Sequence, residues 1–241
     1  MQFTYEAYKN MLLQLKESQY YFSSYHNWER FPKCVIMRHD IDQSMQAALN
    51  VAQIEAENGV SATYFVLLGS NFYNPASPGV QADIKKLRNM GHEVGLHFDK
   101  SAYVATTLPM PQLIQREARV MEALCGFPIT TVSMHRPTSE LLDSNLQIPG
   151  LINVYDKVFF RDFKYISDSR RQWREPVSDI IRGGQYKRLH ILTHAFWYHE
   201  QEKSIYQTLY DFITGANKER FESMQKNIKD LCSIISESEL P

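Results

Sequence analysis

Arg38-His39-Asp40-Ile41-Asp42 closes a short apolar run, Cys34–Arg38, that reads as a β-strand. Three more segments repeat the arrangement: Gly91-His-Glu-Val-Gly-Leu-His-Phe-Asp99, Met134-His-Arg-Pro137 and Ile191-Leu-Thr-His194. Each places acids or histidines where an apolar run stops. Carboxylates and imidazoles gathered at several strand ends are what metal-assisted hydrolysis on a parallel β/α scaffold requires.

Outward from these segments the chain keeps a strand–helix rhythm. Residues 3–18 carry apolar positions at helical spacing (Phe3, Tyr8, Met11, Leu12, Leu15), and an aromatic connector, Tyr20–Trp28, leads to the first core strand. Helix 44–58 ends at Asn58-Gly59, and strand Ala62–Leu68 follows. Then come a loop at 69–79, helix 80–90, strand Glu93–His97, helix 111–125 stopped by Gly126, and strand Thr130–Met134. Strands alternating with helices predict βαβ units and a parallel sheet. Beyond residue 140 the rhythm loosens. Leu151–Val154, Val158–Phe160, Phe163–Ser167 and Leu189–Thr193 are expected strands, and two C-terminal helices split near Gly215. Roughly seven strands suit a closed or nearly closed β/α barrel better than a doubly wound open sheet. A single domain over 1–241 is expected, with its core at 33–198 and helical additions at 1–32 and 199–241.

The 241 residues are 44% hydrophobic with a formal net charge of −1 and no Lys/Arg block, so nucleic acid is not an expected partner. No apolar run approaches the roughly 18 residues of a membrane span. The start lacks a basic and apolar leader, and Cys34, Cys125 and Cys232 are three and far apart. A cytoplasmic protein with reduced thiols is the expectation.

Side chains alternate along a strand, so Arg38, Asp40 and Asp42 share one face while His39 takes the other. One acid of such a pair can ligate a metal while its neighbour takes a proton, although Asp42 could equally cap helix 44–58. His97 shares a face with Glu93, Gly95 and Asp99 and is a better ligand candidate than His92. Gly95 leaves room for close approach by a ligand or a neighbouring strand. An Arg136 near Asp40 would hold that carboxylate ionised, and His194 is placed to protonate a leaving group.

These motifs resemble those of the polysaccharide deacetylase superfamily (NodB homology, carbohydrate esterase family 4). The resemblance implies an α/β fold, a distorted (β/α)7-8 barrel, with Asp40 as general base, Asp42 and His97 as metal ligands, Arg136 orienting the base and His194 as catalytic acid. Asp168 and Trp173 loosely echo the segment that lines the family's acyl pocket. Trp197, beside Phe196, is a candidate to stack on a sugar. The family's second metal histidine falls at Ser101 here. His135 is the best substitute for it, Asp99 a second, and loss of the metal a third. The implied function is hydrolysis of an N-acetyl or N-formyl group on an amino sugar with a divalent metal, most plausibly zinc. A nucleotide-, lipid- or glycan-linked sugar of surface polysaccharide synthesis is the expected partner. A catalytically silent glycan-binding or scaffold protein is the alternative.

Overall fold

Ser44, rather than Asp42, caps the helix after the first core strand: its hydroxyl accepts the Ala47 N–H at 3.1 Å. Asp42 is thereby free to face the end of the sheet. The computed structural model describes residues 1–139, 141 and 145–240. Its strands are β1 (Tyr21–Ser23), β2 (Cys34–Ile41), β3 (Thr63–Leu67), β4 (Glu93–Phe98), β5 (Thr131–Met134), β6 (Ile152–Asn153), β7 (Lys164–Ser167) and β8 (Arg188–Thr193). All pair in parallel, in the order β6-β5-β4-β3-β2-β8-β7, with β1 on the start of β2. The described helices are α1 (Tyr5–Glu17), α2 (Met45–Glu57), α3 (Pro78–Asn89), α4 (Met110–Cys125), α5 (Val158–Arg161), α6 (Val177–Gly183), α7 (Ile205–Gln225) and α8 (Leu231–Ile234). The fold is a distorted, curled β/α half-barrel. Among the described residues its two outer strands, β6 and β7, do not pair with each other.

The curl follows from one contact. Arg38 on β2 hydrogen-bonds the hydroxyl of Ser133 on β5, three strands away. In a flat sheet those positions would lie about 14 Å apart. Gly95 on β4 makes room between them. A Cβ there would lie 2.5 Å from the Phe65 ring and 2.5 Å from Thr131 Oγ1, so β3 and β5 side chains occupy the space it leaves. The expected close approach at Gly95 is made by neighbouring strands.

The outer face of the sheet carries a buried polar knot. Glu55 of α2 accepts from Tyr8 of α1 (2.7 Å) and Tyr64 of β3 (2.6 Å), and pairs with His39 Nε2 of β2 (2.9 Å). His39 Nδ1 lies 2.7 Å from Thr193 Oγ1 of β8, its registered partner. His92, as expected, serves the backbone: Nδ1 accepts the Ala62 N–H and Nε2 contacts the Ala52 carbonyl.

The structure divides into two units, Met1–Glu200 and Gln201–Pro241. Three local expectations are corrected. Val158–Phe160 is helical, because Asp156 Oδ1 and Asn145 Oδ1 accept the Val158 and Lys157 N–H groups and nucleate a turn. The C-terminal helix α7 runs through Gly215, whose cost of about 1 kcal/mol a 21-residue helix absorbs. Strand β2 continues three residues past Arg38. No helix among the described residues is long and apolar enough to cross a membrane.

Gly95→Ala is expected to lower unfolding stability by about 2 kcal/mol through overpacking against Phe65 and Thr131. An unchanged urea midpoint would show that the β3–β5 packing is looser than described.

Candidate metal centre

Every chemically active group stands at the C-terminal end of a strand. Asp42 follows β2, His97 is the fifth residue of β4, and His135 follows β5 with its N–H on the Phe98 carbonyl at 2.8 Å. Their ligand atoms form a nearly equilateral triangle. His97 Nε2 and His135 Nδ1 are each 3.2 Å from Asp42 Oδ1 and 3.2 Å from one another. Asp42 Oδ1 is shielded from solvent, yet neither contact has hydrogen-bond geometry. Three lone-pair donors cornered in this way fit a cation better than they fit each other. Tetrahedral ligands with bonds near 2.0–2.1 Å stand roughly 3.3 Å apart. Burial pushes the Asp42 carboxyl up, but the adjoining His135, His97 and His194 rings hold it well below the ordinary carboxylate range.

Of the candidates for a third donor, the geometry brings in His135. Asp99 instead caps the short 3₁₀ turn Lys100–Tyr103, accepting the Ser101 N–H at 2.8 Å.

Asp40 lies beside the triangle, Oδ2 3.9 Å from His97 Nε2. Its orienting arginine is Arg38, not Arg136. Arg38 Nε donates to Asp40 Oδ1 at 2.9 Å and Nη2 to Oδ2 at 2.8 Å, and the two hydrogens of Nη2 are shared with the Ser133 and Tyr155 hydroxyls. Burial would raise the Asp40 carboxyl; Arg38 and His97 outweigh it and hold it low. Arg136 is exposed, in the left-handed region at φ 48°, so the extended conformation expected before Pro137 does not form. The same-face alternation of Arg38 and Asp40 was the sequence signal for this pair.

Asp168 is fully buried and grips His194. It accepts the backbone N–H of His194 at 3.0 Å, pairs with its Nδ1 at 2.7 Å, and accepts from Tyr198 at 3.1 Å. Asp168, expected from the resemblance to echo the acyl-pocket segment, is fully buried here with its carboxylate on His194 and Tyr198. The Nε2 of His194 is left toward the centre, 4.0 Å from Asp42 Oδ2. Burial lowers the His194 pKa, but Asp168, Asp40 and Asp42 together push it up to about 9. Trp173 and Trp197 are half-buried and pack against the core; Trp197 meets Phe196 edge-on at 4.9 Å.

No protein-family model matches the chain. No curated protein matches it. Among solved structures it is similar to the chitin deacetylase from the fungal pathogen Colletotrichum lindemuthianum (19% identity, 77% of this chain and 83% of that one, TM-score 0.43). It is also similar to a family 4 carbohydrate esterase from Bacillus anthracis (14% identity, 91% and 84%, TM-score 0.44). A third is a CE4 family pseudoenzyme from Bacillus anthracis (15% identity, 78% and 61%, TM-score 0.42). The chain spans less than two thirds of that pseudoenzyme's length.

In metal-free protein, Asp168→Asn is expected to bring the His194 titration down from about 9 toward its ordinary value of 6.5, read by histidine NMR. Because the folded pKa is the higher one, the stabilisation is full below pH 6.5 and fades as pH rises through about 9. The variant should lose that alkaline slope. A wild-type His194 titrating near 6.5 would refute the Asp168 pairing.

Proposed function

We propose that this chain is a divergent member of the polysaccharide deacetylase superfamily that hydrolyses an N-acyl group, acetyl or formyl, on an amino sugar. The observation that carries the reading is the Asp42–His97–His135 triangle set between an arginine-held carboxylate and a carboxylate-held imidazole. Asp42, His97 and His135 would hold a divalent metal, zinc by its fit to one carboxylate and two imidazoles. When bound, it supplies Lewis acidity and a water of lowered pKa.

The chain's own residues do the rest. Asp40 stays ionised because Arg38 is always charged, and its Oδ2 faces the triangle to receive a proton from the attacking water. Arg38 keeps that oxygen aimed, and Ser133 and Tyr155 keep Arg38 aimed. With Nδ1 of His194 paired to Asp168, the second N–H of its imidazolium form, on Nε2, is the one free to protonate the departing amine. With its pKa near 9, the ring carries that proton at neutral pH. Acid and base are set apart by opposite partners, an arginine for one and a carboxylate for the other.

The silent-scaffold alternative was motivated by Ser101, which leaves the family's ligand set one short. His135 supplies the missing donor, and a binding module has no need of the Arg38–Asp40 and Asp168–His194 pairs. Service in surface polysaccharide synthesis is part of the proposal and rests on the resemblance.

Purified protein loaded with zinc is expected to hold close to one ion per chain by elemental analysis, and His97→Ala and His135→Ala to lose it. Asp40→Asn should keep the metal yet release acetate or formate from N-acylated amino sugars at least ~100-fold more slowly. A wild-type chain that binds no metal would end the hydrolase reading.

A further inference from the structure

Arg136 has the family motif's position but none of its partners. Asp40 already gives both oxygens to Arg38. Arg136 therefore stands exposed one residue after the metal-ligand candidate His135, in a left-handed backbone that a side chain with a Cβ seldom adopts. Strain of this kind persists where the surroundings impose it and clusters at ligand clamps. A second cation stands with it. Lys100 and Arg136 line the same small cleft as His135, walled on the apolar side by Phe98 and Met134. Asp99 accepts the Ser101 N–H, and the charges of His135 and Arg136 help hold its carboxyl low.

Two exposed cations lining a cleft with the metal-ligand candidate His135, one of them a guanidinium whose planar fork matches phosphate oxygens, point to an anionic substrate. We propose that Arg136 and Lys100 form a subsite for a phosphate group on the acylated sugar, so that the substrate is a sugar phosphate or phosphate-linked sugar rather than a neutral polysaccharide. The inference rests on the deacylase reading and names its substrate class. The cleft beside His135 has a volume of about 20 Å³, room for about one water, so a phosphate would lie outside it against the exposed Arg136 and Lys100.

Titration calorimetry of the zinc-loaded protein with N-acetylglucosamine and with N-acetylglucosamine 1-phosphate tests it. The phosphate ester is expected to bind at least ~10-fold more tightly at low salt, with the margin shrinking at high salt as exposed charges are screened. R136Q should bind both sugars alike, and K100Q should lose part of the margin. Equal affinities in the wild-type protein, or a margin that R136Q retains, overturn the phosphate subsite and leave the deacylase reading standing. Failure of both sugars to bind the metal-loaded protein overturns the two together.

Discussion

A guanidinium with no access to solvent must keep a counter-charge, and Arg38 keeps Asp40. Removing one partner of such a pair costs about 3–5 kcal/mol because the other charge stays buried. The pair therefore constrains more than its own strand. The terminal nitrogen that meets Asp40, Nη2, also lies within hydrogen-bond distance of Ser133 on β5 and Tyr155 after β6, so the guanidinium ties the far side of the sheet to β2. Curl and the orientation of Asp40 meet at that one nitrogen. The ring of Phe65 and the bare Cα of Gly95 form the floor over which that reach is made.

The opposite face of β2 does complementary work. His39 points away from Asp40 and ties α2, through Glu55, to Thr193 on β8. Thr193 is the residue before His194. The knot that fixes the helix layer thus also fixes the strand end from which the imidazole projects, while Asp168 fixes the ring itself. Thr193, His39 and Glu55 have the spacing of a nucleophile–base–acid chain, but all three are fully buried, so the arrangement holds the scaffold rather than meeting a substrate. Alternation along a single strand separates the two tasks, with Arg38, Asp40 and Asp42 on the inward face and His39 anchoring on the outward one.

Periodicity made the layered β/α plan, the strand ends and the residues on the inner face of β2 legible in the sequence. So was the convergence of Asp42 and His97, because both end strands close to the middle of a parallel sheet. What was not legible is pairing between long side chains. Arg38 and Arg136 have the same chemistry, and only three-dimensional reach decides which one meets Asp40. Asp168 lies 26 residues before His194, a separation that carries no local signal, and its partner emerges only from the β7–β8 register. Val158–Phe160 has strand-like composition, and side-chain caps from Asn145 and Asp156 override it.

The departures of this chain from the deacetylase pattern are linked. In the proposed reading, with serine at position 101, the third donor is His135, whose Nδ1 lies 3.2 Å from Asp42 Oδ1. Arg136, the next residue, is exposed with its backbone in the left-handed region. A base left without its usual arginine would be raised by burial toward neutrality and lose its aim. Arg38, two residues before Asp40 on the same face, removes that difficulty without a long-range partner. In the proposed reading Arg38 thus does for Asp40 what the exposed Arg136 does not.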